Sequence, residues 1–290
     1  MHFRFRPFLL SGAVMVLTFS LGLYAAVHQK VFVDTQGIGS PQVSAAPAIG
    51  YFMGVVVLFA ILFFLVPVSK LRWVLRGLFI LMYSWGVFVM LWLVWPANNV
   101  YVVGAVAVAS GVAWLVWGRI WLQDLLLSIT LAAGASVFGF FFSPLPLVLL
   151  MSALSVYDLL AVRFGFMTWI ADKLSESTTL PAFVLPRSMS DWTGQVGTVR
   201  VGDLAATEAD KREYTILGGG DIAFPAMLSV SIFFQADLRA AIVVGGFALL
   251  GLMGTFVIQA AWLKGKAMPA LPPIAVSSFA GLLIVRLFMS

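Results

Sequence analysis

Nine apolar runs of roughly twenty residues each follow one another along this chain, and they constrain its fold more than any other feature. A hydrocarbon core about 30 Å thick is crossed by about 20 helical residues, because an α-helix rises about 1.5 Å per residue. The runs therefore predict an all-α membrane protein with about nine transmembrane helices. Their approximate bounds are Phe8 to Val27, Ala48 to Val68, Trp73 to Trp95, Val100 to Trp117, Trp121 to Phe142, Leu145 to Val162, Ile216 to Gln235, Ala240 to Leu263 and Met268 to Leu287.

The composition agrees with a lipid environment and argues against several other classes of protein. Of 290 residues, 62% are hydrophobic and 10% are charged, whereas about a quarter of the residues of a soluble domain are charged. The net charge of +5 comes from basic residues scattered singly, so no nucleic acid partner is expected. Cysteine is absent, and the two histidines, His2 and His28, lie outside the apolar runs. We therefore expect no disulfide, no metal site and no cofactor.

Lysines and arginines predict the orientation of the spans, because cytoplasmic loops are enriched in them. With the N-terminus inside, fourteen of the 17 basic residues are cytoplasmic, and Lys30, Arg239 and Arg286 are external. This asymmetry favours an odd number of spans, with the N-terminus cytoplasmic and the C-terminus external. The expected organisation is spans one to six in residues 1–165, a cytoplasmic loop in residues 166–215, and spans seven to nine in residues 216–290.

Two aspartates, Asp158 and Asp221, fall inside predicted spans, whereas Asp34, Asp124 and Asp237 are expected in a loop or at a span end. A carboxylate in a bilayer costs several kcal/mol unless it is paired, protonated or wetted, so each intramembrane aspartate is a functional candidate. Both lie about five residues, roughly 8 Å, from the cytoplasmic end of their spans. At equal depth on consecutive antiparallel helices, the two carboxyl groups can face each other and share one proton. One then activates water while the other polarises a scissile carbonyl.

Three glycines, Gly218, Gly219 and Gly220, directly precede Asp221. They make the start of the seventh span deformable and allow another backbone to come close, although a helix hinge or a packing surface would use them too. A substrate has to unwind near the aspartates, because a helix hides its peptide bonds.

The freed peptide groups of an unwound substrate need partners, and pairing with an enzyme strand would supply them. Short extended stretches are expected at Pro181 to Pro186 and at Thr198 to Val201 in the loop. The candidates for substrate pairing are Thr198 to Val201, Tyr214 to Leu217 and the carbonyls before Pro269.

These residues together resemble the presenilin and signal peptide peptidase family of intramembrane GxGD aspartyl proteases. The family has YD in its sixth span, GxGD in its seventh and PAL at the start of its ninth. This chain has Tyr157-Asp158, Gly218-Gly219-Gly220-Asp221 and Pro269-Ala270-Leu271 in that order. The resemblance covers essentially the whole chain, and DIAFP after the glycines is closer to signal peptide peptidases and to archaeal homologues than to animal presenilins.

The resemblance implies that Asp158 and Asp221 are the catalytic pair of an aspartic endopeptidase. It also implies that Tyr157 neighbours the site and that the glycines and the PAL segment help to shape it. The implied substrates are single-span membrane proteins or signal peptides within the lipid bilayer. The chain is expected to be an integral, multi-pass membrane protein, located in the plasma membrane if it is prokaryotic. The loop does not match the presenilin activation segment, so autocleavage is not implied, and self-association stays open.

Two other interpretations remain at this point. A prepilin-peptidase-like protease also uses a GxGD aspartate, but its usual span count and its lack of a PAL motif argue against it. A proton-coupled transporter or a cation channel would also place paired aspartates in a membrane. Cleavage of a single-span peptide would distinguish a protease from these transport functions.

Reporter fusions test the predicted orientation. A reporter placed after Ser290 should be external, and one placed near Ser190 should be cytoplasmic, because the basic residues are divided fourteen to three between the two sides. Finding both reporters on the same side would rule out the nine-span arrangement and the equal depth of the two aspartates.

Overall fold

The computed structural model describes residues 5–37, 68–95, 99–165, 179–207, 212–261 and 268–288 without a break, and separate residues between 39 and 66 and between 169 and 177. The helices are α1 Phe5–Gln36, α2 Val68–Val94, α3 Val100–Trp117, α4 Ile120–Phe141, α5 Pro144–Arg163, α6 Val201–Ala206, α7 Gly219–Gln235, α8 Leu238–Ala261 and α9 Leu271–Phe288. The strands are β1 Ala182–Pro186 and β2 Tyr214–Gly218, and short 3-10 helices cover Met189–Thr193 and Val196–Thr198.

Seven of these helices, α1 to α5, α8 and α9, are long and apolar enough to cross a membrane. Helix α7 corresponds to the seventh predicted span and has 17 residues. The second predicted span, Ala48 to Val68, falls largely outside the described residues. The expected helical, multi-pass membrane fold is confirmed, and the side on which each terminus lies remains a prediction.

Helices α4 and α7 form the centre of the bundle. Fifteen of the 22 residues of α4 and eleven of the 17 residues of α7 are buried, against four of 18 in α3. The two central helices come close at Gly139, where an added Cβ would lie 2.7 Å from a methyl carbon of Val230. Helix α7 also contacts α1, α5, α8 and α9. The helix that carries the GxGD motif is therefore held from several sides.

Serine hydroxyls bond the central helices to their neighbours. A hydroxyl that donates to a carbonyl of another helix avoids leaving a polar group unpaired in an apolar bundle. Three such bonds connect α7 to the end of α4, α7 to α8, and α9 to α8: Ser231 to Phe142 at 2.6 Å, Ser229 to Ala241 at 2.7 Å and Ser277 to Phe247 at 2.6 Å.

Strands β1 and β2 form an antiparallel pair that leads into α7. Ala182 lies opposite Gly218 at one end of the pair, and Pro186 lies opposite Tyr214 at the other. The extended stretch predicted from Pro181 to Pro186 is confirmed by β1, whose five residues are all buried. The second extended stretch, Thr198 to Val201, is shorter than expected: Val199 and Arg200 are extended, between a 3-10 turn that ends at Thr198 and α6, which begins at Val201.

The predicted start of the seventh span at Ile216 is also wrong. Pairing with β1 keeps the chain extended through Gly218, and the main-chain N–H of Gly219 still donates to the carbonyl of Pro181 at 3.1 Å. Helix α7 therefore begins at Gly219, and Asp221 is its third residue. Asp158 lies five residues before the end of α5 at Arg163, as expected.

Candidate active site

Asp158 is buried near the end of α5, with 7% of its surface exposed. Its carboxyl group is in hydrogen-bonding contact with the main-chain N–H of Leu271, the first residue of α9. Its other oxygen, Oδ2, is buried and has no hydrogen-bond partner among the described residues. Buried hydroxyl oxygens without a described partner also occur at Tyr83, Ser84, Thr130 and Ser155, so this oxygen is a candidate reactive atom because it belongs to an aspartate inside a predicted span.

Asp221 lies in the first turn of α7, and its position depends on the residue that caps this helix. Gly218 is the N-cap, and its main-chain N–H hydrogen bonds with the Asp221 carboxyl group. An acidic side chain at the third helical position commonly reaches back to the cap in this way. The partial positive charge of a helix N-terminus also stabilises an anion there.

The two predicted catalytic aspartates are brought together by the contact of α5 with α7. Their carboxyl groups are close enough to interact electrostatically. Tyr157, the residue before Asp158, is half-buried and lies within the electrostatic influence of Asp158. The arrangement therefore contains two coupled carboxyl groups with a phenol beside one of them, which is a suitable constellation for moving a proton.

The three glycines before Asp221 differ in what surrounds them. A Cβ at Gly218 would lie 2.9 Å from Oδ2 of Asp221, and one at Gly219 would lie 3.0 Å from the carbonyl of Pro181. Gly220 is exposed, and a Cβ there would meet only the ring of Phe224, at 3.5 Å. The first two glycines are therefore required by close approaches within the protein, whereas Gly220 leaves space beside Asp221.

The PAL segment joins the helices that carry the aspartates. Pro269 and Ala270 are partly buried immediately before α9, and Leu271 is buried as its first residue. The Leu271 side chain belongs to an apolar cluster that includes residues of α5 and α7, namely Leu150, Leu154 and Phe224. Leu271 thus contributes both a main-chain contact to Asp158 and a side chain that packs α9 against the other two helices.

Pro225, in the sequence DIAFP, affects the same turn of α7. Proline has no N–H, so the carbonyl of Asp221, four residues earlier, lacks its usual helical donor. The sequence analysis assigned no role to Pro225. The sequence could have indicated this role, because Pro225 follows Asp221 by four residues, and a proline at that spacing leaves the earlier carbonyl without a helical hydrogen bond.

Asp124 and Gln123 are further polar residues that the sequence analysis missed. Asp124 lies near the start of α4, at a span end as expected, but it is 4% exposed there, and the adjacent Gln123 is fully buried. Their signal was an adjacent pair of polar residues just inside an apolar run. Asp34 likewise lies within α1, near its end, where it is exposed.

The end of the β1–β2 pair that contains Pro186 and Tyr214 borders a polar cavity of about 360 Å³. Its lining residues carry both signs of charge: Arg6, Arg187, Ser188, Asp191, Arg212, Glu213 and Tyr214. Burial raises the pKa of Tyr214, and the nearby charges of Asp191 and Glu213 raise it further. Strand β2 separates this cavity from Asp221 by roughly 13 Å, at about 3.3 Å per residue, so the cavity is distinct from the aspartate pair.

Possible metal ligands do not cluster in the described parts of the chain, where no group of three or more histidine, aspartate or glutamate side chains could hold an ion.

Comparisons with known proteins agree with this geometry. A family model described as "Signal-peptide peptidase, presenilin aspartyl protease" matches residues 12–290. The chain belongs to this family. The family match argues against the prepilin-peptidase interpretation, and it makes the chain a presenilin-type multi-pass membrane protein. A search of curated proteins finds no match.

Two solved structures of a presenilin family intramembrane aspartate protease have a similar fold. The one in space group C222 has a TM-score of 0.64 and 17% sequence identity, covering 96% of this chain and 98% of the other. The one in space group P2 has a TM-score of 0.54 and 20% identity, covering 92% and 95%. At these identities the likeness is one of fold, which extends over almost the full length of both chains.

Replacing Gly218 by alanine tests whether this glycine positions Asp221. The added methyl would occupy space 2.9 Å from Oδ2 of Asp221, so the carboxyl group must move away from the cap. We expect cleavage of a single-span peptide to fall by at least about tenfold, which corresponds to about 1.4 kcal/mol, while the melting temperature changes little.

Gly220→Ala serves as the comparison, because its methyl meets only the Phe224 ring and leaves the Gly218 contact intact. If cleavage falls in Gly220→Ala but not in Gly218→Ala, the added methyl group hinders substrate binding and does not displace Asp221. Normal cleavage by Gly218→Ala would show that Asp221 does not depend on this close approach.

Proposed function

We propose that this chain hydrolyses peptide bonds within transmembrane helices of membrane-protein or signal-peptide substrates, with Asp158 and Asp221 as the catalytic pair. The observation that carries the proposal is the position of these two carboxyl groups on the contacting helices α5 and α7, near enough to interact electrostatically. Membership of the family supports the same activity. The substrates are inferred from the bundle, most of whose helices are long and apolar enough to cross a membrane.

The reaction needs one proton shared between the two carboxyl groups. The ionised group takes a proton from water, and the water oxygen attacks the carbonyl carbon while the protonated group donates a hydrogen bond to the carbonyl oxygen. The tetrahedral intermediate collapses when the amide nitrogen accepts a proton, the C–N bond breaks, and an acid and an amine are released. The two ionisations belong to the pair and not to one residue.

Contacts from outside the pair would keep the carboxyl groups in place during these steps. Leu271 holds Asp158 through its main-chain N–H, and Gly218 holds Asp221 in the same way. Both donors are backbone groups at helix starts, so they do not have to reorganise as charge moves between the aspartates. This gives the PAL and GxGD segments of this chain a concrete role in the proposed mechanism.

Strand β2 offers the unwound substrate a place to pair. The ladder bonds from Gly219 to Pro181 and from Arg187 to Glu213 flank the pair, so Tyr214, Ile216 and Gly218 direct their main-chain groups away from β1. No described residue outside β1 forms a ladder with β2. A substrate strand added at this edge would run directly past the start of α7 and Asp221.

Asparagine substitutions test the catalytic pair. Asp158→Asn and Asp221→Asn each remove one ionisable member, so we expect cleavage of a single-span peptide by purified protein to fall by at least about 100-fold. Asp34→Asn, at an exposed position in α1, is the matched control and should cleave normally. Melting curves should show that all three variants are folded.

Near wild-type cleavage by either catalytic variant would overturn the assignment. The cleavage rate of the wild-type protein should also fall at both low and high pH, because the reaction needs one aspartate ionised and the other protonated. A rate that is constant from acidic to alkaline pH would contradict proton sharing.

Ile216→Pro tests substrate pairing at β2. Proline removes the outward N–H but not a bond to β1, and an edge position tolerates it. Losing one main-chain hydrogen bond of about 0.5–1.5 kcal/mol should raise KM by about 2- to 12-fold. Ile216→Ala, which keeps the N–H, is the control for loss of the side chain.

Equal KM values for Ile216→Pro, Ile216→Ala and wild type would leave no role for pairing at this edge. Val199 is unsuitable for the same test, because its buried side chain follows a 3-10 turn and its N–H already donates to Val196.

A further inference from the structure

Two side chains of α4 bond to the outer edge of β1, the edge that faces away from β2. Asp124 Oδ1 accepts a hydrogen bond from the main-chain N–H of Val184 at 3.0 Å. The Gln123 amide nitrogen donates to the carbonyls of Leu180 and Ala182, both at 3.2 Å. These side chains, called here the α4 clamp, thus occupy the edge positions that a third strand would otherwise use.

The remaining polar atoms of the α4 clamp are also bonded. The second oxygen of Asp124 accepts from the indole N–H of Trp192 at 3.3 Å, and the Gln123 oxygen accepts from that of Trp114 at 3.3 Å. The network therefore joins α3, α4, β1 and the 3-10 helix that follows β1. Because the polar atoms of both side chains are engaged in these hydrogen bonds, Asp124 and Gln123 are each held in one orientation.

Part of the role of this polar pair is stability, because apolar residues of similar size would leave the N–H of the fully buried Val184 without a partner. What the polar pair adds is register. A shift of β1 by one residue would turn the N–H of Val184 away from Asp124 and reverse which groups point outward. Strand β1 in turn aligns β2, and the bond from Gly219 to Pro181 ties this alignment to the start of α7.

We propose that the α4 clamp is a positioning device for the reaction. It holds β1 in one register, so that β2 and Asp221 have fixed places, and it leaves the β2 edge as the one open to substrate. Neither clamp residue touches the reacting atoms, and the inference rests on the function proposed above. Its consequence is that the clamp determines which peptide bond of a bound substrate reaches the aspartates.

Three substitutions in α4 separate this role from general stability. Asp124→Ala removes the bonds to Val184 and Trp192, whereas Asp124→Asn keeps an acceptor for Val184. Ser128→Ala, one turn further along, is the matched control, because this buried hydroxyl bonds only within α4, to the carbonyl of Asp124. The amide hydrogen exchange rate of residues 180–186, measured without substrate, reports how firmly β1 is held. Mass spectrometry of the products identifies which peptide bonds are cleaved.

We expect Asp124→Ala to speed exchange in residues 180–186 by at least about tenfold and to spread cleavage over neighbouring bonds, with KM raised severalfold. Asp124→Asn should restore most of the single-bond cleavage, and Ser128→Ala should match wild type. If Asp124→Ala does not fold, Gln123→Ala carries the same test, since it keeps the Asp124 bond to Val184.

Unchanged exchange in the alanine variants would overturn the clamp, whatever their activity. Faster exchange with an unchanged cleavage position and KM would overturn its role in the reaction and leave a structural one. A wild-type protein that cleaves no peptide would instead overturn the proposed function, and the clamp's role in cleavage with it.

Discussion

The change from strand to helix at Gly218 is the feature on which the rest of the site depends. The residue ends β2, caps α7, and offers its N–H to the carboxyl group of Asp221. A side chain at this position would enter the space of the carboxylate. The end of β2, the helix cap and Asp221 therefore meet within four residues, so their relative positions are set by backbone geometry and require no side-chain rotamer beyond that of Asp221.

Much of this arrangement was predictable from the sequence, because a membrane restricts both the length of apolar helices and the places where a carboxylate can lie. Apolar run lengths gave the spans, and the cost of a carboxylate in lipid singled out Asp158 and Asp221. The end of β2 was not predictable in this way. Ile216 and Leu217 are as apolar as the helix that follows, and only their pairing with β1, some thirty residues earlier in the chain, keeps them extended.

The surroundings of Asp124 were not predictable for a related reason. The residue lies near a span end as expected, but folding of the loop brings β1 and Trp192 over it. A polar side chain near a span end has two environments open to it, and which one it occupies depends on long-range contacts. The adjacent Gln123 was the better clue, since two neighbouring polar residues can together satisfy a strand edge that one cannot.

The open edge of β2 also has a consequence for the empty protein. Under the proposed pairing, the main-chain groups of Ile216 that point away from β1 gain a partner when substrate binds. A ligand that completes the sheet binds the folded chain and not the unfolded one, and mass action then stabilises the whole bundle. If the proposed pairing occurs, the chain without substrate is less stable than its complex, and a peptide-like inhibitor that pairs with β2 would stabilise the fold during purification.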